Sequence, residues 1–264
     1  MIDGMDIQEL FGVSGKVAIV TGGSRGIGLM IARGLVTNGV RTYITARKAE
    51  ACDAAAAELS AFGECISIPA DIADADGMAE LVAAFTNNES QLDILVNNAG
   101  AAWGAPIGQF PESGFDKVLN VNVRAPFMLT QALLEALKAG ATPEDPARVI
   151  MTGSVDGIVV PFGDNYSYSA SKAGVHMMAR HMAHHMARFN ITVNSIAPGP
   201  FESKMMSYVL DDPERRTVVE QAVPLRRIGT PEDVAGAVIY LASRAGAYLT
   251  GAVVPVDGGL STHG

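Results

Sequence analysis

The sequence predicts a single α/β domain: one parallel sheet with helices over both faces. Three observations predict it. Apolar, β-branched runs alternate with helical patterns along the chain. The first of those runs, Lys16–Gly22, reads as a strand buried on both sides. The 264 residues contain no linker, low-complexity segment or internal repeat, and α/β units often run this long as one domain. A chain of this size buries about three quarters of its unfolded surface, enough for a core without disulfides.

The elements follow in order. Residues 1–14 are an amino-terminal extension without a strong pattern. Lys16–Gly22, "KVAIVTG", is the first buried strand. A helix follows through Asn38, and Gly39 is a natural stop. Arg41–Ala46 is the second strand, then an alanine-rich helix runs to about Phe62. Cys65–Pro69 is the third strand, with a helix over Ala79–Phe85. Leu92–Asn97 is the fourth strand, and one long helical region spans about Ser113 to Lys138. Arg148–Gly153 is the fifth strand; a helix covers about Tyr166–Phe189; Ile191–Ala197 is the sixth strand. A looser helical stretch at 202–221 precedes a helix at Pro231–Ser243 and a last short strand at Ala252–Val256.

Composition narrows the partners. The net charge of −9 argues against nucleic acid, which needs clustered lysine and arginine. No run approaches the ~18 apolar residues of a membrane span, and the amino terminus has no signal-peptide pattern. Two cysteines, Cys52 and Cys65, form neither a metal motif nor a disulfide framework, which fits a reducing cytoplasm. No metal site is expected. His181, His184 and His185 share one helix, but the glutamate of a metalloprotease motif is absent, and a packed or solvated face is the expectation. If they meet across an interface, protonation near pH 6 would loosen it.

Parallel sheets bind ligands at the carboxyl ends of their strands, and two motifs fall there. "TGGSRGIG" (Thr21–Gly28) ends the first strand and opens a helix. Gly22, Gly26 and Gly28 allow a tight turn and close backbone approach, and with Ser24, Arg25 and Ile27 they lead into a helix amino terminus that attracts phosphate. The spacing G-x-x-x-G-x-G differs from the standard dinucleotide fingerprint. An NAD site usually has a carboxylate about 20 residues on, for the ribose 2′-hydroxyl. Here that strand ends Thr45-Ala46-Arg47-Lys48. Arg47 and Arg25 suit the 2′-phosphate of NADP(H).

The second motif is "NYSYSASK" (Asn165–Lys172). Reducing a ketone by hydride transfer leaves a developing alkoxide that needs a proton. Tyr168 and Lys172 stand at i, i+4 and share a helix face. Tyr166 is six residues from Lys172, roughly 240° around the helix. Tyr168 is therefore the candidate acid, with a nearby cation expected to lower its pKa. Ser154 lies just past the fifth strand, at the predicted ligand edge.

With "TGGSRGIG", Asp71-Ile72, "NNAG" (Asn97–Gly100), Ser154, Tyr168, Lys172 and Pro198-Gly199 in order, the chain resembles classical short-chain dehydrogenases/reductases from about Lys16 to Gly259. "ILVNNAGAAWGAP" and "AGAYLTG" look most like the NADPH-dependent β-ketoacyl reductases of the rhamnolipid-pathway type. The resemblance implies a Rossmann fold with a seven-stranded sheet and usually a homotetramer, or a homodimer. It implies that Asp71 bonds the adenine with Ile72 beside it, and that Asn98, Ala99 and Gly100 line the adenine ribose. Pro198, Gly199 and Ser203 would hold the nicotinamide end; serine replaces the commoner threonine at 203. Ser154 would polarise the carbonyl, Tyr168 transfer the proton, and Lys172 bind the ribose. Asn122, rather than Asn120, would hold a relay water. The gap of fourteen residues from Ser154 to Tyr168 is long for the family.

The resemblance also implies a substrate lid at about 200–224, containing the apolar stretch Met205, Met206, Tyr208, Val209 and Leu210, for which ordinary core is the competing reading. With Trp103, Val155, Ile158, Val159 and Phe162 it would make an apolar pocket, suited to a lipophilic carbonyl such as a β-ketoacyl chain. The alternatives are an NADP-dependent dehydrogenase of a small secondary alcohol or hydroxy or sugar acid, and a catalytically silent NADP(H)-sensing protein. Intact Ser154, Tyr168 and Lys172 argue against the sensor. The acidic charge disfavours an acyl carrier protein as partner, unless Arg124, Arg180 or Arg188 forms a local basic patch.

Overall fold

The computed structural model describes residues 6–204 and 206–262. Residues 1–5 of the extension and Met205 of the expected lid lie outside them. Seven strands form one sheet in the order β3-β2-β1-β4-β5-β6-β7. They are β1 (Val17–Thr21), β2 (Arg41–Thr45), β3 (Cys65–Ser67), β4 (Ile94–Asn97), β5 (Ala147–Thr152), β6 (Ile191–Pro198) and β7 (Val253–Val256). Every pairing is parallel. The strand order reverses between β1 and β4, which is where such sheets open a ligand crevice.

Strand side chains alternate between two cores. Ala18, Val20 and Ile150 join one, shared with α2 (Gly26–Thr37), α3 (Ala49–Leu59) and α11 (Pro231–Ala242). Ile19, Val149 and Met151 join the other, shared with α4 (Ala75–Thr86), α6 (Ala125–Ala132), α7 (Leu134–Ala139) and α8 (Tyr166–Met186). Burial on both faces explains why the strands read as continuous apolar runs.

Four expectations shift. A short helix, α1 (Ile7–Phe11), forms inside the extension, with the Asp6 carboxylate accepting from Gln8 N and Phe11 stacking near Tyr240. α4 starts at Ala75 rather than Ala79, because the Asp74 carboxylate caps Asp76 N and Gly77 N. The single helix expected over 113–138 is instead α5 (Glu112–Leu119), a π-turn (Asn120–Arg124), α6 and α7. Pro126 has no N–H for the carbonyl of Asn122, so the helical ladder widens there. The 202–221 stretch resolves into α9 (Ser207–Leu210) and α10 (Pro213–Ala222), the latter begun by Asp212 and Pro213. Among the described residues, no helix is long and apolar enough to cross a membrane.

α2 and α11 touch through a small-residue contact. A Cβ on Gly34 would stand 2.5 Å from the Ala235 Cβ. Gly34→Leu should therefore lower stability by about 1–3 kcal/mol, through overpacking. A urea-melt midpoint equal to wild type would contradict this packing.

Candidate active site

The carboxyl ends of β1 and β4 are tied by side chains. Thr21 Oγ1 accepts from Asn98 N at 2.9 Å and Ala99 N at 3.0 Å. Asn98 Nδ2 donates to Thr21 O at 2.9 Å. Over this junction lies the glycine loop. Gly22 and Gly26 have φ of +68° and +53°, a region that favours glycine. A Cβ on Gly28 would sit 2.3 Å from Gly22 O and 2.4 Å from Asn98 Nδ2, so glycine is required there by space. The amino terminus of α2 carries no side-chain cap, leaving its first N–H groups for a ligand.

The predicted cofactor residues gather around this loop. Ser24 and Ile27 are half-buried within it, and Arg25 is exposed. Ser203 packs over it, since a Cβ on Gly26 would lie 3.2 Å from the Ser203 Cβ. Arg47 is exposed at the end of β2. Asp71 accepts from Ala73 N at 3.0 Å, and Ile72 is buried in the core on the α8 side. Gly100 is exposed beside Asn122 and Lys172. Pro198 ends β6, and Gly199 N donates to Val256 O at 3.0 Å. These residues form a cradle that fits a dinucleotide: tight glycines, uncapped helix N–H groups and two exposed guanidinium groups with no carboxylate at the end of β2.

The second cluster lies where β5 meets α8. Ser154 caps a 3-10 turn (Val155–Gly157), and its Oγ accepts from Asp156 N at 3.1 Å. The Ser154 hydroxyl faces the Tyr168 phenol. Lys172 is buried; its Nζ donates to Thr152 O at 2.7 Å and lies 5.4 Å from the Tyr168 ring centre. Tyr166 goes elsewhere: it is exposed and donates to Asp164 Oδ1 at 2.9 Å. The two tyrosines thus lie in different surroundings, Tyr168 beside Lys172 and Tyr166 out on Asp164.

The electrostatics differ from the expectation. Burial pushes the Tyr168 phenol up to about 12, partly offset by the Ser154 hydroxyl. Lys172 does not offset that rise, because burial lowers its own pKa to about 8, so its charge is lost before the phenol titrates; while cationic, its ammonium donates to the Thr152 carbonyl. The side chain of Asn122 is committed to protein partners. Both amide hydrogens are used, on Ala101 O and Ser171 Oγ at 2.9 Å each, and its Oδ1 accepts from Ala101 N at 2.8 Å. Asn122 thereby clamps the loop after β4 to α8. Asn120 bonds Ala73 O at 3.1 Å, bracing the loop of Asp71.

Around the mouth, Val155 is buried, Trp103 leans on Gly114, and Ile158 and Phe162 are exposed, Phe162 at 102%. In the lid region Leu210 is buried, whereas Phe201 belongs to the core. Nothing is described of the Tyr208 side chain. His181, His184 and His185 are exposed, with ring centres 5.0–5.1 Å apart. Among the described residues no group of three or more histidine, cysteine or acidic side chains is arranged for a metal ion. Sequence reasoning missed Asp156, Ser171 and His176. His176 could have been found, because it continues the four-residue spacing of Tyr168 and Lys172.

A lysine with a lowered pKa binds fewer protons folded than unfolded between about pH 8 and its ordinary value of 10.5. The contribution of Lys172 to stability therefore rises with pH across that window. In urea melts the stability of wild type relative to Lys172→Met should rise from about pH 8 to 10.5; equal pH slopes would contradict the burial of a titrating Lys172.

Known proteins resemble this chain over most of its length. The pattern of the enoyl-(acyl carrier protein) reductase family matches residues 22–261. The chain is 46% identical over 253 residues to the rhamnolipids biosynthesis 3-oxoacyl-[acyl-carrier-protein] reductase of Pseudomonas aeruginosa, covering 96% of this chain and 99% of that protein. It is 35% identical over 246 residues to the 3-oxoacyl-[acyl-carrier-protein] reductase MabA of Mycobacterium bovis, covering 93% and 92%. Among solved structures, the Pseudomonas aeruginosa RhlG/NADP active-site complex superposes with a TM-score of 0.93 at 45% identity, covering 96% and 99% of the two chains. The chain belongs to the short-chain dehydrogenase/reductase family.

Proposed function

We propose that the protein is an NADPH-dependent reductase that converts the ketone of a β-ketoacyl thioester, or a similar lipophilic ketone, to a secondary alcohol. The observation that carries this reading is the Ser154 hydroxyl facing the Tyr168 phenol, with Lys172 beside them, at the carboxyl edge of the sheet. Two relatives named as 3-oxoacyl-[acyl-carrier-protein] reductases, at 46% and 35% identity, support the substrate class. The apolar mouth around Trp103, Val155 and Ile158 supports a lipophilic chain over a polyol.

The dinucleotide, when bound, supplies the hydride. The chain's own residues handle the oxygen. Because Ser154 Oγ already accepts from Asp156 N, its O–H is left to donate to the substrate carbonyl and orient it. Tyr168, with its pKa held near 12, is protonated at neutral pH and gives that proton to the developing alkoxide. Lys172, fixed by the Thr152 carbonyl and cationic below about pH 8, stabilises the phenolate that remains. Asn122 holds the loop of Gly100 and Ala101 against α8, keeping the floor of the site in register. Gly22, Ser24, Gly26, Ile27 and Gly28 cradle the pyrophosphate, and Arg25 and Arg47 take the 2′-phosphate. Asp71, Ile72, Asn98, Ala99 and Gly100 border the adenosine, while Pro198, Gly199, Ser203 and Lys172 meet the nicotinamide end.

A homotetramer, or a homodimer, belongs to the same reading, supported by exposed Phe127 and Met177 on α6 and α8. A cytoplasmic location is supported by Cys52 and Cys65, both free thiols.

Replacing both arginines (Arg25→Ala with Arg47→Ala) should raise the KM for NADPH at least tenfold and leave that for NADH nearly unchanged, since the phosphate dianion loses both charged partners. Equal effects on the two cofactors would contradict the 2′-phosphate assignment. Oxidation of NADPH at 340 nm, with β-ketoacyl-CoA substrates of increasing chain length, tests the reaction itself. Turnover should rise with chain length, and Tyr168→Phe should lower kcat by about 10²–10⁴-fold. Turnover of small alcohols alone, or a Tyr168→Phe variant as fast as wild type, would overturn the proposal.

A further inference from the structure

We infer that His176 is the positioning residue for Ser154: its ring, wedged between Gly153 and Gly157, holds the Ser154 carbonyl and thereby fixes where the serine hydroxyl meets the Tyr168 phenol. This rests on the reductase reading and adds a residue to it.

The contacts are specific. His176 is 5% exposed. Its Nε2 lies 3.0 Å from Ser154 O and its Nδ1 lies 2.9 Å from Ser195 Oγ. A carbonyl only accepts, so Nε2 carries the proton and Nδ1 accepts from the Ser195 hydroxyl. Burial lowers the histidine pKa and keeps the ring in this neutral form. Ser154 O receives a second hydrogen bond from Gly157 N at 3.0 Å, which closes the turn on itself. Asn165 Nδ2, at the start of α8, donates to Asp156 Oδ2 of the turn at 3.0 Å; the histidine bond is the one that reaches Ser154 itself and, through Ser195, links it to β6.

The backbone has been shaped to admit the ring. A Cβ on Gly153 would stand 2.1 Å from His176 Cε1, and one on Gly157 would stand 2.9 Å from His176 Cδ2. The residues on both sides of the Ser154 turn thus lack side chains where the imidazole passes. The Gly157 backbone is also pressed on α8, since its Cβ would meet Lys172 C at 2.6 Å. Tyr168, Lys172 and His176 stand at i, i+4 and i+8, so one helix face carries the proton donor, the cation and the prop beneath the serine. The serine comes from β5 and the tyrosine from α8, joined by a long loop whose outer residues Val160 and Phe162 are exposed. That loop is tied back to the turn by Asn165 on Asp156, and the histidine contact adds the hold on Ser154 itself.

The test is a mutant cycle. His176→Leu fills similar space without a donor, and His176→Gln restores an amide N–H. Each is made in wild type and in Ser154→Ala, and ketone reduction and NADPH binding are measured. In wild type, His176→Leu should lower kcat by about 10–100-fold, as misplacement by an ångström does, with NADPH affinity within about twofold. His176→Gln should recover most of the loss. In the Ser154→Ala background His176→Leu should cost under about twofold, because the group it positions is gone. A His176→Leu enzyme as fast as wild type, or one equally impaired with and without Ser154, would overturn the inference. Should His176→Leu not fold, Ser195→Ala decides: a several-fold fall in kcat supports the relay through Nδ1, and an unchanged kcat overturns it. A wild type that turns over no carbonyl or alcohol would overturn the reductase reading and this inference together, which distinguishes that failure from an active enzyme indifferent to His176.

Discussion

The architecture of this protein turns on one small junction, the pair of side chains that ties β1 to β4. The Thr21 hydroxyl accepts two amide protons from the segment after β4, and the Asn98 amide returns a bond to the Thr21 carbonyl. This is the point where the strand order reverses, so the chains leaving the two strands diverge and a crevice opens between them. The Thr21 hydroxyl and the Asn98 amide are both bonded there. The glycine loop rests on the same asparagine, with Gly28 too close to it for any side chain. Loop position, crevice width and helix direction follow from that contact.

The second constraint is burial against charge. A tyrosine and a lysine four residues apart suggest a phenol acidified by an ammonium. In the folded protein both are pulled toward their neutral forms by desolvation, the phenol up to about 12 and the lysine down to about 8. Ser154 works against this on the phenol, and Asp156 favours the charged lysine. The phenol is thereby kept protonated, the state a proton donor needs. The π-turn serves the same region. Pro126 breaks the regular ladder, and in that widened turn Asn122 reaches both the Ala101 backbone and Ser171.

Much of this was legible in the sequence, for identifiable reasons. The seven strands were readable as apolar and β-branched runs that alternate with helical patterns, and the glycine loop because its neighbours on both sides were a strand and a helix. Tyr168 was distinguishable from Tyr166 by helix geometry alone. What was not legible depends on long-range partners. The break at Asn120–Arg124 was hidden because Pro126 sits inside an otherwise helical pattern. The start of α4 was missed because Asp74 acts as a cap only once the backbone turns there. Asn122 and Lys172 spend their hydrogen bonds on backbone carbonyls from other segments, which no spacing rule encodes. His176 falls between these cases: its register was visible, but its contact with Ser154 needed the two glycines folded against it.

The three residues on one face of α8 have a wider consequence. Their separations are multiples of the helical turn, so they are set by backbone pitch rather than by the surroundings. The apolar residues around the mouth of the site come from other segments, the stretch around Trp103 and the 155–165 loop. Chemistry and recognition are thus written on separate parts of the chain. A lineage can lengthen, shorten or recolour the recognition loops, and so change clientele, while the reacting groups keep their mutual distances without retuning.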